Sequence, residues 1–146
     1  MRCRASHTAG QAMVEMALTF PVLVILLVGA AELARVAYSA IEASNAAHAG
    51  AQYASQSGYT ATDTTGISNA AAADAANLSG LSTTSSITCA CSDGTASACL
   101  NTDCANSHTE ETVTVNTQAT INPNFHIPGL PTTYTVHGQA VQRCYQ

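Results

Sequence analysis

The apolar positions of this chain fall into three regimes. From Met16 to Ala31 sixteen residues pass without a charge, and counting from Ala12 the run reaches twenty if Glu15 is included. About 20 apolar residues are needed to cross a bilayer as a helix, so residues 11–31 are predicted to be a membrane-spanning helix, with Pro21 inside it as a kink. Gly29, Ala30 and Ala31 give it a small-residue face that permits close helix approach. From Glu32 to Ser57 the pattern turns amphipathic. Leu33, Val36, Ala37, Ala40, Ile41, Ala47, Ala51 and Ala54 recur at steps of three and four. This predicts that residues 32–57 continue the same helix, with an apolar stripe made mostly of alanine, and that it stops at Ser57-Gly58.

Beyond that point the regime changes again. Residues 58–66, rich in Thr, Gly and Ser, read as a linker, and Ile67 to Leu78 as a short second helix with Gly80 able to cap it. Thr83 to Cys91 reads as a strand with Ile87, Cys89 and Cys91 on one face. Glu111 to Ile121 alternates cleanly, Val113, Val115, Ala119 and Ile121 against Thr112, Thr114, Asn116 and Gln118. A proline-containing loop follows from Asn122 to Pro131, and Thr132 to Val141 reads as a final strand. Residues 58–146 are thus predicted to be an α+β domain, with a three-stranded antiparallel sheet packed on the alanine stripe of the long helix.

Charge changes the picture in two ways. The four basic residues are all arginine (Arg2, Arg4, Arg35, Arg143) against nine acidic ones. No basic stripe exists to neutralise phosphates, which argues against nucleic acid as a partner. Arg2 and Arg4 precede the apolar run and the acidic remainder follows it, so the N-terminal arm is expected on the cytoplasmic side and the rest to be exported. Cys3 then lies on the cytoplasmic side, with Cys89, Cys91, Cys99, Cys104 and Cys144 in the exported part. Four of these cluster tightly, which in an oxidising compartment points to a disulfide-stapled loop. Cys89 and Cys91 project the same way from one strand, and a bridge between them would be strained, so each looks elsewhere. The expectation is that Cys91 closes a short loop with Cys99 or Cys104 and that a further bridge involves Cys89. Cys144 could join if the last strand ran beside the Thr83–Cys91 strand, and one of the five thiols is left free or pairs between subunits. A zinc site built from the four clustered thiols is disfavoured, because Cys89-x-Cys91 matches no two-plus-two zinc ribbon.

Candidate chemistry is otherwise thin. His7, His48, His108, His126 and His137 are scattered, Glu110-Glu111 reads as a solvated strand entrance, and no nucleophile–base order or phosphate loop stands out. Asn77-Leu78-Ser79 matches a glycosylation tripeptide that is common by chance. An enzyme is not expected, and no cofactor or metal is implied. The outlier is Glu15, a carboxylate in the apolar run. It costs about 2.5–3.5 kcal/mol on insertion scales and needs a partner.

Gly10, Glu15 at the fifth position after it, and the apolar run that follows resemble a type IV prepilin-like leader, residues 1–10. The segment from Glu32-Leu33-Ala34-Arg35 through Asn45-Ala46-Ala47-His48-Ala49-Gly50-Ala51-Gln52-Tyr53-Ala54 resembles the TadE-like pseudopilins of tight-adherence (Tad) pili. The likeness covers roughly residues 8–57. Met16 departs from it, standing where the family more often has an aromatic. The resemblance implies a non-enzymatic minor pseudopilin in the inner membrane, with its C-terminal domain exported and a place on the pilus or cell surface after assembly. It implies cleavage after Gly10 by a prepilin peptidase, leaving Gln11 as the new N-terminus. It further implies pilin and pseudopilin subunits, the inner-membrane pilus platform and the lipid bilayer as partners. Glu15 would then serve assembly, meeting the freed amine of a neighbouring subunit. The contrasting expectation is a secreted disulfide-rich binding module, cut by an ordinary signal peptidase after Gly29-Ala30-Ala31.

Overall fold

The computed structural model describes residues 8–100, 102–105, 107–125 and 131–144. Cys3, His7, His126 and most of the expected leader, residues 1–7, lie outside the described residues. Among those described, three helices and four strands form in the order α1 (Thr8–Ala54), α2 (Gly58–Thr62), α3 (Thr64–Asp74), β1 (Ser82–Cys91), β2 (Ala96–Ser97), β3 (Thr109–Ile121) and β4 (Tyr134–Cys144). The chain divides into two compact units, Met1–Arg35 and Val36–Gln146, and α1 contributes to both.

In the first unit α1 runs through Pro21 and has no charged residue in its first turn or basic residue in its last. Pro21 has no N–H to offer the preceding turn. Just before it, the Thr19 hydroxyl donates to the Glu15 carbonyl at 3.0 Å. At the end of the unit Glu32 and Arg35 form a loose ion pair at 4.0 Å.

In the second unit the sheet is antiparallel with strand order β2-β1-β3-β4. It has four strands where three were predicted. The extra one, β2, pairs only as Cys89↔Ser97 and Ala90↔Ala96, and two residues carry no alternation to read. β3 is the central long strand, paired with β1 from Cys91↔Thr109 to Ser82↔Gln118 and with β4 from Glu111↔Cys144 to Ile121↔Tyr134. The final strand therefore starts and ends later than predicted, and it lies beside β3 rather than beside β1. The α+β class and the alternation of β3 are as expected: Val113, Val115, Ala119 and Ile121 are buried, and Thr117 is buried in the same row.

The expected linker is instead α2. Ser57 and Thr60 form a capping box, Ser57 Oγ accepting from the Thr60 N–H and Thr60 Oγ1 accepting from the Ser57 N–H, so hydroxyls that look like linker residues satisfy the orphan donors of a helix start. Asp63 does the same for α3 through the Gly66 N–H, and α3 begins and ends a few residues earlier than the predicted 67–78 helix. The buried side of α1 shares Ala47, Ala51 and Ala54 with the predicted stripe and differs from it elsewhere. Ser39, Glu42, Ala43, Ala46, Ala47, Ala51 and Ala54 are buried, whereas Leu33, Ala37 and Ile41 are exposed. The sheet meets the part of this face where small residues run from Ala43 to Ala54. Gly50 marks how near it comes: a Cβ there would sit 3.2 Å from Val115 and 3.3 Å from Ile67. The core is this alanine face with Ile67, Ala71 and Leu78 on one flank and Val113, Val115, Ala119, Val136 and Ala140 on the sheet.

Candidate functional site

Two places carry the residues singled out by the sequence. The first is the start of α1. Its backbone there has no tertiary cover. Every residue from Gly10 to Leu27 is exposed, including Met13, Val14, Met16, Leu18, Phe20 and Leu23 to Leu27. A helix apolar on all faces and bare of protein contacts belongs in lipid or against other helices. By length and composition Gly10–Ala54 is long and apolar enough to cross a membrane, the feature of a single-pass anchor. Glu15 sits among these exposed apolar side chains, and a carboxylate at such a position inside a bilayer is costly.

Gly10 and Gln11 lie inside the helix rather than before it, because α1 already begins at Thr8. The expected leader, residues 1–10, therefore overlaps the start of α1. The difference is small in energy, since first turns hold few internal hydrogen bonds and fray readily. A Cβ added at Gly10 would meet nothing within 4 Å.

The second place is the cysteine loop after β1. Cys89 is bridged to Cys99 and Cys91 to Cys104. Alternation on β1 puts both Cys89 and Cys91 on the inner side, with Cys91 fully covered and Cys89 half-covered. An Asx turn at Asp93 and a longer side-chain bridge from Asp103 shape the loop. Asp93 Oδ1 accepts from the Thr95 N–H and hydroxyl at 3.0 and 2.7 Å, which holds the Asp93 carboxyl below its ordinary range, the hydroxyl bond contributing most. Asp103 Oδ2 accepts from the Ala98 N–H at 2.7 Å and the Ser97 hydroxyl at 3.1 Å. Cys144, counted among the disulfide candidates, carries a free, buried thiol. It faces Glu111 on β3, and Glu111 in turn faces Cys89 on β1. A whole strand therefore separates Cys144 from the bridged pair, roughly 10 Å at the strand spacing and beyond the span of a disulfide. Its Sγ points at the Ala54 carbonyl, 3.7 Å away. Burial, with the Glu111 charge second, pushes the thiol above its ordinary value.

The remaining candidates are structural or solvated. Asn77, in the glycosylation-like tripeptide, donates its amide to Glu42 at 2.9 Å. Among the described histidines, His108 lies 3.8 Å from Glu110, which also pairs with Arg143 at 3.1 Å. Asn45, His48, Gln52 and Asp74 line an open depression of about 270 Å³ between α1 and α3. Among the described residues no group of three or more His, Cys, Asp or Glu is placed to hold a metal ion.

No curated protein and no solved structure matches the chain. A family model does, over residues 10–52, that of TadE-like proteins: from Gly10, through the bare apolar helix with Glu15, into the alanine face that carries the sheet, this stretch is similar to them.

Proposed function

We propose that the chain is a minor pseudopilin, a structural subunit of the Tad-type pilus assembly and adhesion machinery. It is held in the inner membrane by the first part of α1, with the unit from Val36 onward exported. A prepilin peptidase cuts after Gly10, the inner-membrane pilus platform receives the processed subunit, and pilin and pseudopilin subunits are its neighbours. The observation that carries this reading is Glu15: one carboxylate, five residues after Gly10, in an apolar helix with no tertiary cover and inside the TadE-like match. Cleavage at Gly10 frees an amine on Gln11, and the amine of an adjoining subunit offsets the Glu15 charge and fixes the axial register between helices.

The test uses two variants in the native host. Gly10→Leu should leave the leader attached, visible as an unprocessed band. Glu15→Ala should ease membrane insertion by about 2.5–3.5 kcal/mol yet reduce incorporation into pili. Unchanged incorporation of Glu15→Ala would remove the assembly role, and normal processing of Gly10→Leu would remove the peptidase. A mature N-terminus at Glu32 in place of Gln11 would point to a secreted module released by signal peptidase.

A further inference from the structure

The two bridges interleave. Along the chain the loop cysteines come as Cys89, Cys91, Cys99 and Cys104, and the first is joined to the third, the second to the fourth, across 10 and 13 residues. Shorter closures are open to the same sulfurs, because Cys99 stands nearer in the chain to Cys104 and to Cys91 than to its own partner. Closure in an unfolded chain falls roughly as the −3/2 power of loop length, so Cys99 meets Cys104 about two to three times as often as it meets Cys89. The folded pairing is set by the sheet instead. β2 lies antiparallel to the end of β1, with Ser97 opposite Cys89. Asp103 accepts from the Ala98 N–H and the Ser97 hydroxyl, and Ser97 Oγ accepts from the Cys99 N–H at 3.1 Å. Together these bonds hold Cys99 beside Cys89. The Cys104 sulfur sits 3.4 Å from the hydroxyl of Thr109, which is the ladder partner of Cys91 on β3. Both native bridges therefore depend on strand pairing that an unfolded chain lacks. The remaining thiol of the second unit, Cys144, is buried at the Ala54 carbonyl with β3 between it and the bridges, so it is not placed to reshuffle them.

We infer that the second unit, exported in the reading above, is a substrate of a thiol–disulfide isomerase, which corrects bridges first closed from Cys99 to Cys104 or to Cys91. Making the two bridges takes four electrons and four protons from the loop thiols, and two disulfides of an oxidant accept them as four thiols. Correction consumes no electrons. The isomerase thiolate bonds to the Cys99 sulfur of a Cys99–Cys104 bridge, and Cys104 leaves as a thiolate. The Cys89 thiol gives up its proton, its thiolate bonds to the Cys99 sulfur, and the isomerase thiolate leaves unchanged while Cys104 takes up a proton. Cys104, now at Thr109, is free to be oxidised with Cys91.

The experiment starts from full-length protein, reduced and unfolded in detergent, then refolded with diamide, an oxidant that carries no thiol. After the diamide is removed, the product is divided between buffer alone and a catalytic amount of a reduced thiol–disulfide isomerase. Cleavage before Asp93 and before Asp103 separates Cys99 from Cys104 and both from Cys89 and Cys91, and fragmentation at Ala90 distinguishes the last two. Diamide should leave most molecules bridged from Cys99 to Cys104 or to Cys91. The isomerase should then raise the yield of Cys89–Cys99 with Cys91–Cys104 by roughly threefold or more over buffer. Native bridges at the same yield from diamide alone, mispairing only through Cys3 or Cys144, or no rise with the isomerase would each overturn the inference. The purified chain is the only pilus component present, so such a failure leaves the Gly10 and Glu15 tests where they stand.

Discussion

A methyl group on Gly138 would run into the Ala43 carbonyl, with the Thr117 hydroxyl 2.6 Å away. The obstacle is helix backbone rather than the end of a flexible side chain, so it cannot swing aside. Gly138→Ala should therefore destabilise the domain toward the upper end of the overpacking range, about 2–3 kcal/mol. Thermal unfolding of the variant beside the parent checks this, and an unchanged midpoint would refute the close approach. Next to Gly138, Thr117 occupies a position in the β3 alternation that a hydrophobic count passes over. Its buried hydroxyl donates to the Ala43 carbonyl at 2.6 Å, a carbonyl already used inside α1. The sequence shows Thr117 in phase with Val113, Val115, Ala119 and Ile121, but not that it bonds to a residue 74 positions away. Cys144 is similar: its place at the end of a strand is legible, whereas its solitude depends on β3 lying between β4 and β1.

Among the elements, those with long periods were the legible ones. α1, β3 and β1 follow from sixteen uncharged residues and from strict alternation. The elements missed are short and specified by caps or pairing. α2 has five residues and rests on the Ser57–Thr60 hydroxyl exchange. β2 has two residues, and the bridged loop brings it to β1. Of the stripe predicted on α1, Ala47, Ala51 and Ala54 are buried and Leu33, Ala37 and Ile41 are not, because the sheet packs on the side where Ala43 and Ala46 lie. Between α2 and α3, Asp63 ties the turn together. The Gly66 N–H and then the Tyr53 hydroxyl hold its carboxyl below the ordinary value of 3.8, and the same bond raises Tyr53 above 10.0. A carboxylate whose folded value is lowered stabilises the fold above its unfolded value, and that contribution is lost as pH falls through the folded one. Asp63→Asn retains an N-cap acceptor but no charge. Denaturant midpoints across about pH 2–6 should therefore fall more steeply on acidification for the parent than for this variant. Parallel curves would show that the charge on Asp63 does not contribute.

For the molecule as a whole, one helix contributes to both compact units. Its first part is exposed apolar surface, and from Val36 its alanine face carries the sheet. In the role proposed above, neighbouring subunits grip the first part, so tension along α1 reaches the second unit as shear across the alanine face. That face is smooth. Alanine methyl groups offer few knobs to catch, and dispersion alone resists sliding weakly. Resistance then concentrates in a few cross-links that do not lie along the helix: Thr117 to the Ala43 carbonyl, Asn77 to Glu42, and the Cys144 sulfur to the Ala54 carbonyl. These act as rivets on a low-friction joint. Thr117→Val keeps the shape and removes one rivet, leaving equilibrium stability lower by about 0.5–1.5 kcal/mol. Pulled at Val36 against Cys144, the variant should yield at clearly lower force than the parent. Equal rupture forces would mean that the load is spread through the packing instead, and that the joint slips as one surface rather than failing pin by pin.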